Sequence, residues 1–262
     1  MMNKKMNNEM LDYANWVPKK MLIAFLMLTL LFGGLTFLPV HIIVRVVFGI
    51  LSVVFLLFFF YFYYSYHVFS VNGGAFQKTI LNVVVDKLVW DGQGNTLDIG
   101  TGAGALAIGV AKKYPNAKVT GIDYWGKGWS YSQRMCEKNA AIEGVGERTN
   151  FQKASAASLP FDDGEFDAAV SNFVFHEVKD AKDKRDVIWE ALRVVRKGGA
   201  FSFQDLFLNK WFYGEIDDLL ETIREWGVEE VHFTNTANLV EIPRLLRVSW
   251  MLGKIGIIYG KK

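Results

Sequence analysis

The chain has 262 residues, is 51% hydrophobic and 15% aromatic, and carries a formal net charge of +2. These averages combine two unlike parts, because residues 21–66 contain one charged side chain, Arg45, whereas residues 67–262 carry 24 Lys/Arg and 25 Asp/Glu. Such a near-neutral globular part argues against a nucleic-acid-binding protein, which presents a basic face. A single cysteine, Cys136, excludes an intramolecular disulfide and a cysteine-based zinc site.

The first elements predicted along the chain are two apolar helices. Residues 21–38 and 46–64 are each long enough to cross a hydrocarbon core of about 30 Å. Pro39, His41 and Arg45 between them predict a tight turn, and hence a helical hairpin with both ends on one side. A buried hairpin of a soluble protein, or one span followed by a re-entrant segment, remains an alternative.

The basic residues around this hairpin predict its orientation. Four of them precede the first span and one lies in the turn: Lys4, Lys5, Lys19 and Lys20 against Arg45. The positive-inside rule therefore predicts an integral membrane protein whose N-terminus and globular part are cytoplasmic. We expect three segments: an N-terminal segment (1–20), a two-span transmembrane hairpin (21–66) and a globular domain (67–262).

Strands and helices alternate in the globular part. A connector is predicted over 65–77, and strands at 96–99, 118–122, 150–153, 166–171, 200–204, 229–234 and 253–259. Helices are predicted over 76–89, 105–113, 131–143, 182–196, 214–226 and 241–252, with Ser130 capping the third and Gly198-Gly199 ending the fourth. This alternation predicts a largely parallel α/β sheet, with the last two strands antiparallel.

The strongest chemical signal is the segment 98–104, D-I-G-T-G-A-G, between the first predicted strand and the following helix. Glycines let the backbone approach a ligand closely, and the amides of a helix N-terminus face whatever binds there. Asp123 ends the next strand, where a carboxylate can accept hydrogen bonds from both hydroxyls of a ribose. The glycines alone also fit a dinucleotide loop, because Gly100, Gly102 and Ala105 match G-x-G-x-x-G/A.

Asp98 separates the two ligand classes. It stands two residues before the first glycine, where a carboxylate would repel the pyrophosphate of a dinucleotide. A ligand that carries an amine and a sulfonium but no phosphate suits this position, and S-adenosylmethionine has that chemistry.

Several motifs in order now carry a family resemblance: Leu97 with the segment 98–104, Gly121-Ile-Asp123, Leu159-Pro160-Phe161 before 166–171, and the segment 192–199. Over about residues 76–262 the chain resembles the class I S-adenosylmethionine-dependent methyltransferases. The resemblance implies a Rossmann-like seven-stranded sheet in the order 3-2-1-4-5-7-6 with strand 7 antiparallel. It also implies S-adenosyl-L-methionine as the cofactor.

The resemblance further implies roles for individual residues. Asp98 and Gly100 would hold the methionine end of the cofactor, Asp123 the ribose, and Tyr124 with Trp125 the adenine. The whole implied cofactor-binding set is Asp98, Gly100, Thr101, Gly102, Gly104, Asp123, Tyr124, Trp125, Ser155, Ala156 and Asn172.

One position departs from the family pattern. Relatives often have an acidic residue where this chain has Ser155, and that residue receives the adenine amino group. The Ser155 hydroxyl or the backbone of Ala156 can substitute for it.

His176 and Glu177 follow the fourth predicted strand, at the edge where such a sheet presents its ligand crevice. His176 is a candidate general base or orienting group, and the alternative is a polar pair at a strand–loop junction. No set of His, Asp and Glu residues has the spacing of a metal site, so we expect no metal.

The sequence therefore predicts a membrane-anchored methyltransferase that acts on a small, lipophilic acceptor taken from the bilayer or its surface. The expected partners are this acceptor and the lipid bilayer, without nucleic acid. A nicotinamide-dependent membrane-bound oxidoreductase and a non-catalytic membrane scaffold with the same fold are the alternatives. The acceptor, the methylated atom and the oligomeric state stay open.

Overall fold

The computed structural model describes residues 10–70, 75–126 and 131–262. Lys4, Lys5 and Ser130, which entered the predictions above, lie outside these residues. Two compact units are present: Ala14–Lys78 form one, and residues 10–13 with Thr79–Lys262 form the other.

The smaller unit contains two antiparallel helices, α1 (Lys19–Leu35) and α2 (Ile42–Phe69). The Phe25 ring of α1 stacks on three α2 rings, those of Phe55, Phe58 and Phe62, at centroid distances of 5.3 to 6.4 Å. A helical hairpin is therefore present, and aromatic packing joins its two arms.

Polar contacts hold the rest of the hairpin together. Ser52 Oγ donates to the Thr29 carbonyl at 2.9 Å. Gly33 permits this approach of the two helices, because a Cβ at residue 33 would lie 3.2 Å from Ser52 Oγ. At the turn, Arg45 Nε donates to the carbonyl of Thr36 at 2.7 Å, which satisfies an acceptor at the end of α1.

The helices differ in length from the apolar runs that predicted them. The predicted connector is wrong for its first residues, because α2 continues to Phe69 and the sequence has no Gly or Pro between Ser65 and Ser70. Among the described residues, α2 alone is long and apolar enough to cross a membrane by length and composition, and α1 has 17 residues. That both helices span a membrane stays a prediction.

The larger unit is built on one seven-stranded sheet. Its strands are β1 (Gly94–Ile99), β2 (Ala117–Asp123), β3 (Thr149–Lys153), β4 (Phe166–Asn172), β5 (Val195–Asp205), β6 (Glu230–Asn235) and β7 (Gly256–Lys261). The spatial order is β3-β2-β1-β4-β5-β7-β6. Strands β1 to β5 pair in parallel, and β7 runs antiparallel to β5 and β6. The predicted order and the antiparallel seventh strand are confirmed.

Helices cover both faces of this sheet. They are α3 (Phe76–Lys87), α4 (Ala105–Lys113), α5 (Gln133–Ile142), α6 (Lys184–Arg193), α7 (Lys210–Tyr213) and α8 (Ile216–Glu225). One apolar core joins β-strand residues to α3, α4 and α5, and a second joins them to α6 and α8. The carboxyl ends of β1, β2, β4 and β5 consequently meet at one open edge, which is where ligands bind in such sheets.

Two predictions about the second half of the chain are wrong. The helix expected over 241–252 is replaced by turns and a short 3₁₀ segment, Arg244–Leu246. Pro243 has no N–H to donate inside a helix, and the Arg247 side chain instead donates to the Ile242 carbonyl at 2.7 Å.

The glycine pair at 198 and 199 does not end a helix. Helix α6 ends at Arg193, and both glycines lie within β5. A Cβ on Gly199 would lie 2.8 Å from the Asp167 carbonyl oxygen, so close strand contact requires a glycine there.

Candidate active site

The turn between β1 and α4, called here the glycine loop (residues 99–104), has the backbone that its sequence predicts. Gly100, Gly102 and Gly104 have φ values of +73°, +57° and +85°, a region that side chains rarely tolerate. A Cβ on Gly100 would also lie 2.1 Å from a Val174 methyl carbon. The segment that follows β4 therefore packs directly against this loop.

Asp98 is fully buried below the glycine loop, at the end of β1. Its Oδ2 atom accepts hydrogen bonds from Thr101 Oγ1 at 2.7 Å and from the Ala107 backbone N–H at 2.9 Å. Its Oδ1 atom is buried without a hydrogen-bond partner among the described residues. Burial raises the pKa of Asp98 to about 7, although both hydrogen bonds oppose this shift. A buried carboxylate oxygen without a partner is costly, and it marks a place for a donor group.

Asp123, at the end of β2, fixes the other side of the glycine loop. Its Oδ2 accepts from the Gly102 N–H at 2.9 Å and its Oδ1 from the Trp125 N–H at 2.7 Å. Burial raises the pKa of Asp123, and backbone hydrogen bonds oppose the rise. Trp125 has a φ of +46°, and its indole N–H donates back to the Gly102 carbonyl at 2.9 Å. Gly102 is therefore held through both its N–H and its carbonyl.

The other residues predicted for the adenine end of the cofactor are Tyr124, Ser155 and Ala156. The Tyr124 side chain is 62% exposed, and Lys153 Nζ lies 4.9 Å from its ring centroid. Ser155 Oγ accepts a hydrogen bond from the Ala157 N–H at 3.2 Å, which closes a local turn. Ala156 packs at the edge of the apolar core.

Sequence reasoning missed three side chains that contact the glycine loop. The Tyr131 ring lies 3.6 Å from where a Cβ of Gly102 would be. On α5, Cys136 Sγ donates to the Gly102 carbonyl at 3.2 Å and Asn139 Nδ2 to the Ala103 carbonyl at 3.0 Å. Burial raises the pKa of Cys136, which keeps this thiol neutral. A polar Asn on the apolar face of α5 was the available signal.

Across the crevice, Asn172 ends β4. Its Oδ1 accepts from Gln204 Nε2 at 2.8 Å, and Thr236 Oγ1 donates to the buried Gln204 side chain at 3.0 Å. Phe173 then takes a φ of +57°, and its N–H donates to the Gln204 carbonyl at 2.9 Å. Non-glycine residues in this region are strained, and such strain clusters at functional sites.

His176 and Glu177 lie on a 3₁₀ turn just past this point. His176 Nδ1 lies 2.6 Å from Oδ1 of Asp205, the buried last residue of β5. Burial alone would lower the pKa of His176, but the charge and hydrogen bond of Asp205, aided by Glu177, raise it overall. Asp205 was missed, although it is an acid at the carboxyl end of a parallel strand, as Asp98 and Asp123 are.

The chemistry of these residues suits S-adenosylmethionine. The unpartnered Asp98 oxygen can accept a hydrogen bond from the amine of the cofactor, and the three glycines carry no side chain that would keep a ligand away from the loop backbone. Asp123 has lone pairs beyond those that its two loop hydrogen bonds use, so it can also accept from ribose hydroxyls. Asp98, Asp123 and the glycine loop are therefore the residues that would hold this cofactor.

The sheet defines a doubly wound α/β protein whose candidate ligand site lies at the carboxyl ends of its strands. Comparison with known proteins places one part of the chain more narrowly. Residues 97–203, from β1 to β5, match the family model described as a methyltransferase domain.

Curated relatives agree with this match. The ubiquinone/menaquinone biosynthesis C-methyltransferase UbiE of Desulfotalea psychrophila is 34% identical over 116 residues, which cover 44% of this chain and 43% of that protein. The demethylmenaquinone methyltransferase of Thermus thermophilus is 33% identical over 103 residues, or 39% of this chain and 43% of that protein. The chain thus spans less than half the length of these curated relatives.

Among solved structures, the [4+2]-cyclase SpnF shares the fold. It superposes with a TM-score of 0.54 at 20% identity, over 72% of this chain and 83% of that one. A [4+2]-cyclase and the two methyltransferases named above differ in reaction, so the fold alone does not define the reaction.

Proposed function

We propose that this chain is an S-adenosyl-L-methionine-dependent methyltransferase. The observation that carries the proposal is the buried Asp98 carboxylate, which has one unpartnered oxygen beside a glycine loop in a matched methyltransferase domain. The positive charge and N–H donors of the cofactor's amine satisfy that oxygen.

The cofactor, when bound, would supply a methyl group on a sulfonium; an acceptor would bond to that methyl carbon in line, and the neutral thioether would leave. This chain then has to align the two reactants and keep water away, and alignment alone accounts for much of the rate in such reactions. Asp98 and Asp123, on neighbouring strands, would hold the cofactor at two points. Val174 and the Tyr131 ring pack against this loop at Gly100 and Gly102.

Two other functions fit these observations less well. A nicotinamide-dependent oxidoreductase would place pyrophosphate at the glycine loop, close to the Asp98 carboxylate, and like charges oppose that. A non-catalytic scaffold has no use for a buried acid with a raised pKa or for strained residues such as Phe173.

Calorimetry of the full chain in detergent tests the cofactor assignment. We expect binding of S-adenosylmethionine, weaker by about 100-fold in Asp98→Ala because a hydrogen bond between charged groups is lost. Asp123→Ala should also bind more weakly. Asp217→Ala, an exposed acid in the first turn of α8, serves as the control and should bind normally. Binding of NAD without S-adenosylmethionine would contradict the proposal.

We further propose that the hairpin inserts into a membrane and that the acceptor is lipophilic. Apolar side chains dominate the exposed surface of α1 and α2, among them Ile23, Leu30, Ile50 and Leu57. Asp12 hydrogen-bonds to Asn139 on α5 and Tyr13 to Glu143 just after it, so the chain belongs to the globular unit before the hairpin, and it belongs to that unit again from Thr79 onwards. Such connections are expected when a hairpin enters and leaves the bilayer on one side.

The acceptor class follows from this anchoring and from the relatives. The two relatives described above are named as methyltransferases of quinone biosynthesis, and quinones dissolve in lipid. With Lys19 and Lys20 at the start of α1, the positive-inside rule favours a cytoplasmic domain. Alkaline carbonate extraction tests membrane insertion, and protease digestion of inverted vesicles tests the orientation. Release by carbonate, or protection of the domain in inverted vesicles, would contradict these assignments.

A further inference from the structure

The buried end of β5 carries an acid that the proposed cofactor site does not use. Asp205 is 1% exposed at its side chain, and both carboxylate oxygens are held. Oδ2 accepts from the Phe175 N–H at 2.9 Å, and Oδ1 accepts from the Leu206 N–H at 2.6 Å. The carboxylate is therefore fixed in position before it meets His176 Nδ1.

His176 is oriented by this contact. A carboxylate accepts hydrogen bonds, so the 2.6 Å contact places a proton on Nδ1 and leaves the lone pair of the neutral ring on Nε2. Nε2 lies 4.0 Å from Glu177 Oε1, beyond hydrogen-bond distance. The side chain is 17% exposed, with the Phe173 and Phe212 rings at centroid distances of 6.3 and 5.8 Å. Nε2 is thus available in a half-enclosed position beside two aromatic rings.

His176 also lies close to the proposed cofactor site. Val174, two residues before His176, contacts the position of a Gly100 Cβ. Burial raises the pKa of Tyr131, and the charge of Glu177, the residue after His176, adds to this rise; the Tyr131 ring packs over Gly102. The 3₁₀ turn that carries His176 therefore borders the glycine loop.

We propose that His176 and Asp205 form a proton-accepting dyad, in which Asp205 positions His176 and His176 Nε2 takes a proton from the methyl acceptor. This inference rests on the proposed methyltransferase function and deepens it. It assigns the acceptor to compounds that are protonated at neutral pH, such as a hydroxyl or phenol, rather than to groups that are already ionised.

The step balances without another reactant. The O–H bond of the acceptor breaks and its proton moves to His176 Nε2, while an oxygen electron pair forms the new bond to the methyl carbon. The methyl–sulfur bond breaks, and its electron pair leaves on a neutral thioether. The positive charge of the sulfonium is replaced by that of the imidazolium, which Asp205 stabilises.

Several charges face His176 and define its expected titration. Asp205 on β5 and Glu177 on the same turn raise the pKa of His176, and Lys184 on α6 lowers it, as burial does. A dyad that works as a base predicts that loss of the Asp205 charge shifts this pKa downwards. A dyad that only locks the 3₁₀ turn predicts lower stability without a change in the pH profile of the reaction.

The test uses the full chain in lipid nanodiscs with three variants: His176→Gln, Asp205→Asn and the control His232→Gln on β6. Nitrogen-15 NMR of the imidazoles reports the His176 pKa without any reaction. We expect it to lie above 6.5 in the parent and to be lower in Asp205→Asn. An unchanged value would overturn the positioning role of Asp205.

The reaction is measured by transfer of tritiated methyl from S-adenosylmethionine to a total membrane lipid extract. We expect His176→Gln to lower kcat about 100-fold at an unchanged KM for the cofactor. Asp205→Asn should lower kcat at least ~10-fold and move the acidic limb of the profile to lower pH, because a neutral partner stabilises the imidazolium less. His232→Gln should react like the parent.

The outcomes separate the two proposals. Full activity in His176→Gln, or an acidic limb that stays in place in Asp205→Asn, overturns the dyad and leaves the methyltransferase proposal standing. A parent that binds no S-adenosylmethionine overturns the proposed function and the dyad's role with it.

Discussion

Asp12 and Asn139 exchange two hydrogen bonds. The Asp12 N–H donates to Asn139 Oδ1 at 3.0 Å, and Asn139 Nδ2 donates to the Asp12 carbonyl at 2.7 Å. The same Nδ2 atom donates to the carbonyl of Ala103 in the glycine loop at 3.0 Å, and Asn139 is fully buried. One side chain therefore joins the segment before the first apolar helix to the proposed cofactor loop.

Loss of this side chain should affect both stability and cofactor binding. Asn139→Ala leaves the Asp12 N–H and carbonyl, and one Ala103 acceptor, without their partner, so we expect a loss of about 2–3 kcal/mol of stability. Cofactor affinity should fall about 5-fold, because the glycine loop is held less firmly. Thermal melting and calorimetry measure the two effects, and Lys138→Ala on the same helix is the control. A variant with unchanged melting would show that the buried amide contributes nothing.

The Asp98 carboxylate should reduce stability above neutral pH while it serves binding. Its pKa is raised by burial from 3.8 to about 7 in the folded chain, so the folded state retains a proton that the unfolded state releases in that window. Stability from this group therefore falls as pH rises from 3.8 to about 7.

Asp98→Asn removes this dependence. We expect the variant to be more stable than the parent by ~1–3 kcal/mol at pH 8, and to differ little at pH 4. It should bind S-adenosylmethionine about 100-fold more weakly, because the negative charge opposite the amine is gone. Thermal melting across pH measures the first effect and calorimetry the second. A variant that is less stable than the parent at pH 8 would contradict the assigned burial cost.

Gly100 should tolerate no side chain, for two separable reasons. Gly100→Ala imposes a Cβ at a φ of +73° and within 2.1 Å of Val174, so we expect a loss of more than ~3 kcal/mol. Gly144→Ala has the same φ of +73° with nothing within 4 Å, and should lose about 1 kcal/mol from backbone strain alone. Melting of both variants gives the difference, which is the cost of the clash. Equal losses would mean that Val174 and the segment after β4 move away from the added methyl group without cost.

The Trp125 indole should matter for binding more than for stability. Its Nε1 donates to the Gly102 carbonyl, and a phenyl ring keeps most of the packing without that donor. We expect Trp125→Phe to weaken S-adenosylmethionine binding about 5-fold and to lower stability by about 1 kcal/mol. Calorimetry and melting on one sample measure both. A larger effect on stability than on affinity would assign the indole to the core instead.

Much of the sheet could be predicted because its strands carry local signals. Short apolar runs end at Asp98 and Asp123, and the glycine loop between β1 and α4 has the sequence that its backbone requires. Strand order came from the family resemblance, since pairing between distant segments leaves no mark in spacing alone.

What sequence reasoning missed depends on contacts between distant residues. Asp205 is 29 residues from His176 in sequence, and only the parallel pairing of β4 with β5 brings them to 2.6 Å. The segment 241–252 had helical spacing, but Pro243 and local side-chain hydrogen bonds favour turns. Asn139 reads as one polar residue in an amphipathic helix, and its two partners lie 127 and 36 residues away.

Methyl transfer itself tests the central claim most directly. Full-length protein in nanodiscs, tritiated S-adenosylmethionine and a total membrane lipid extract are incubated together, and the organic phase is counted and analysed by mass spectrometry. The account predicts tritium in a lipid-soluble product that is heavier by one methyl group, and its loss in Asp98→Ala. An organic phase without tritium would contradict a lipophilic acceptor at this site, whether tritium appears in water-soluble products or in no product.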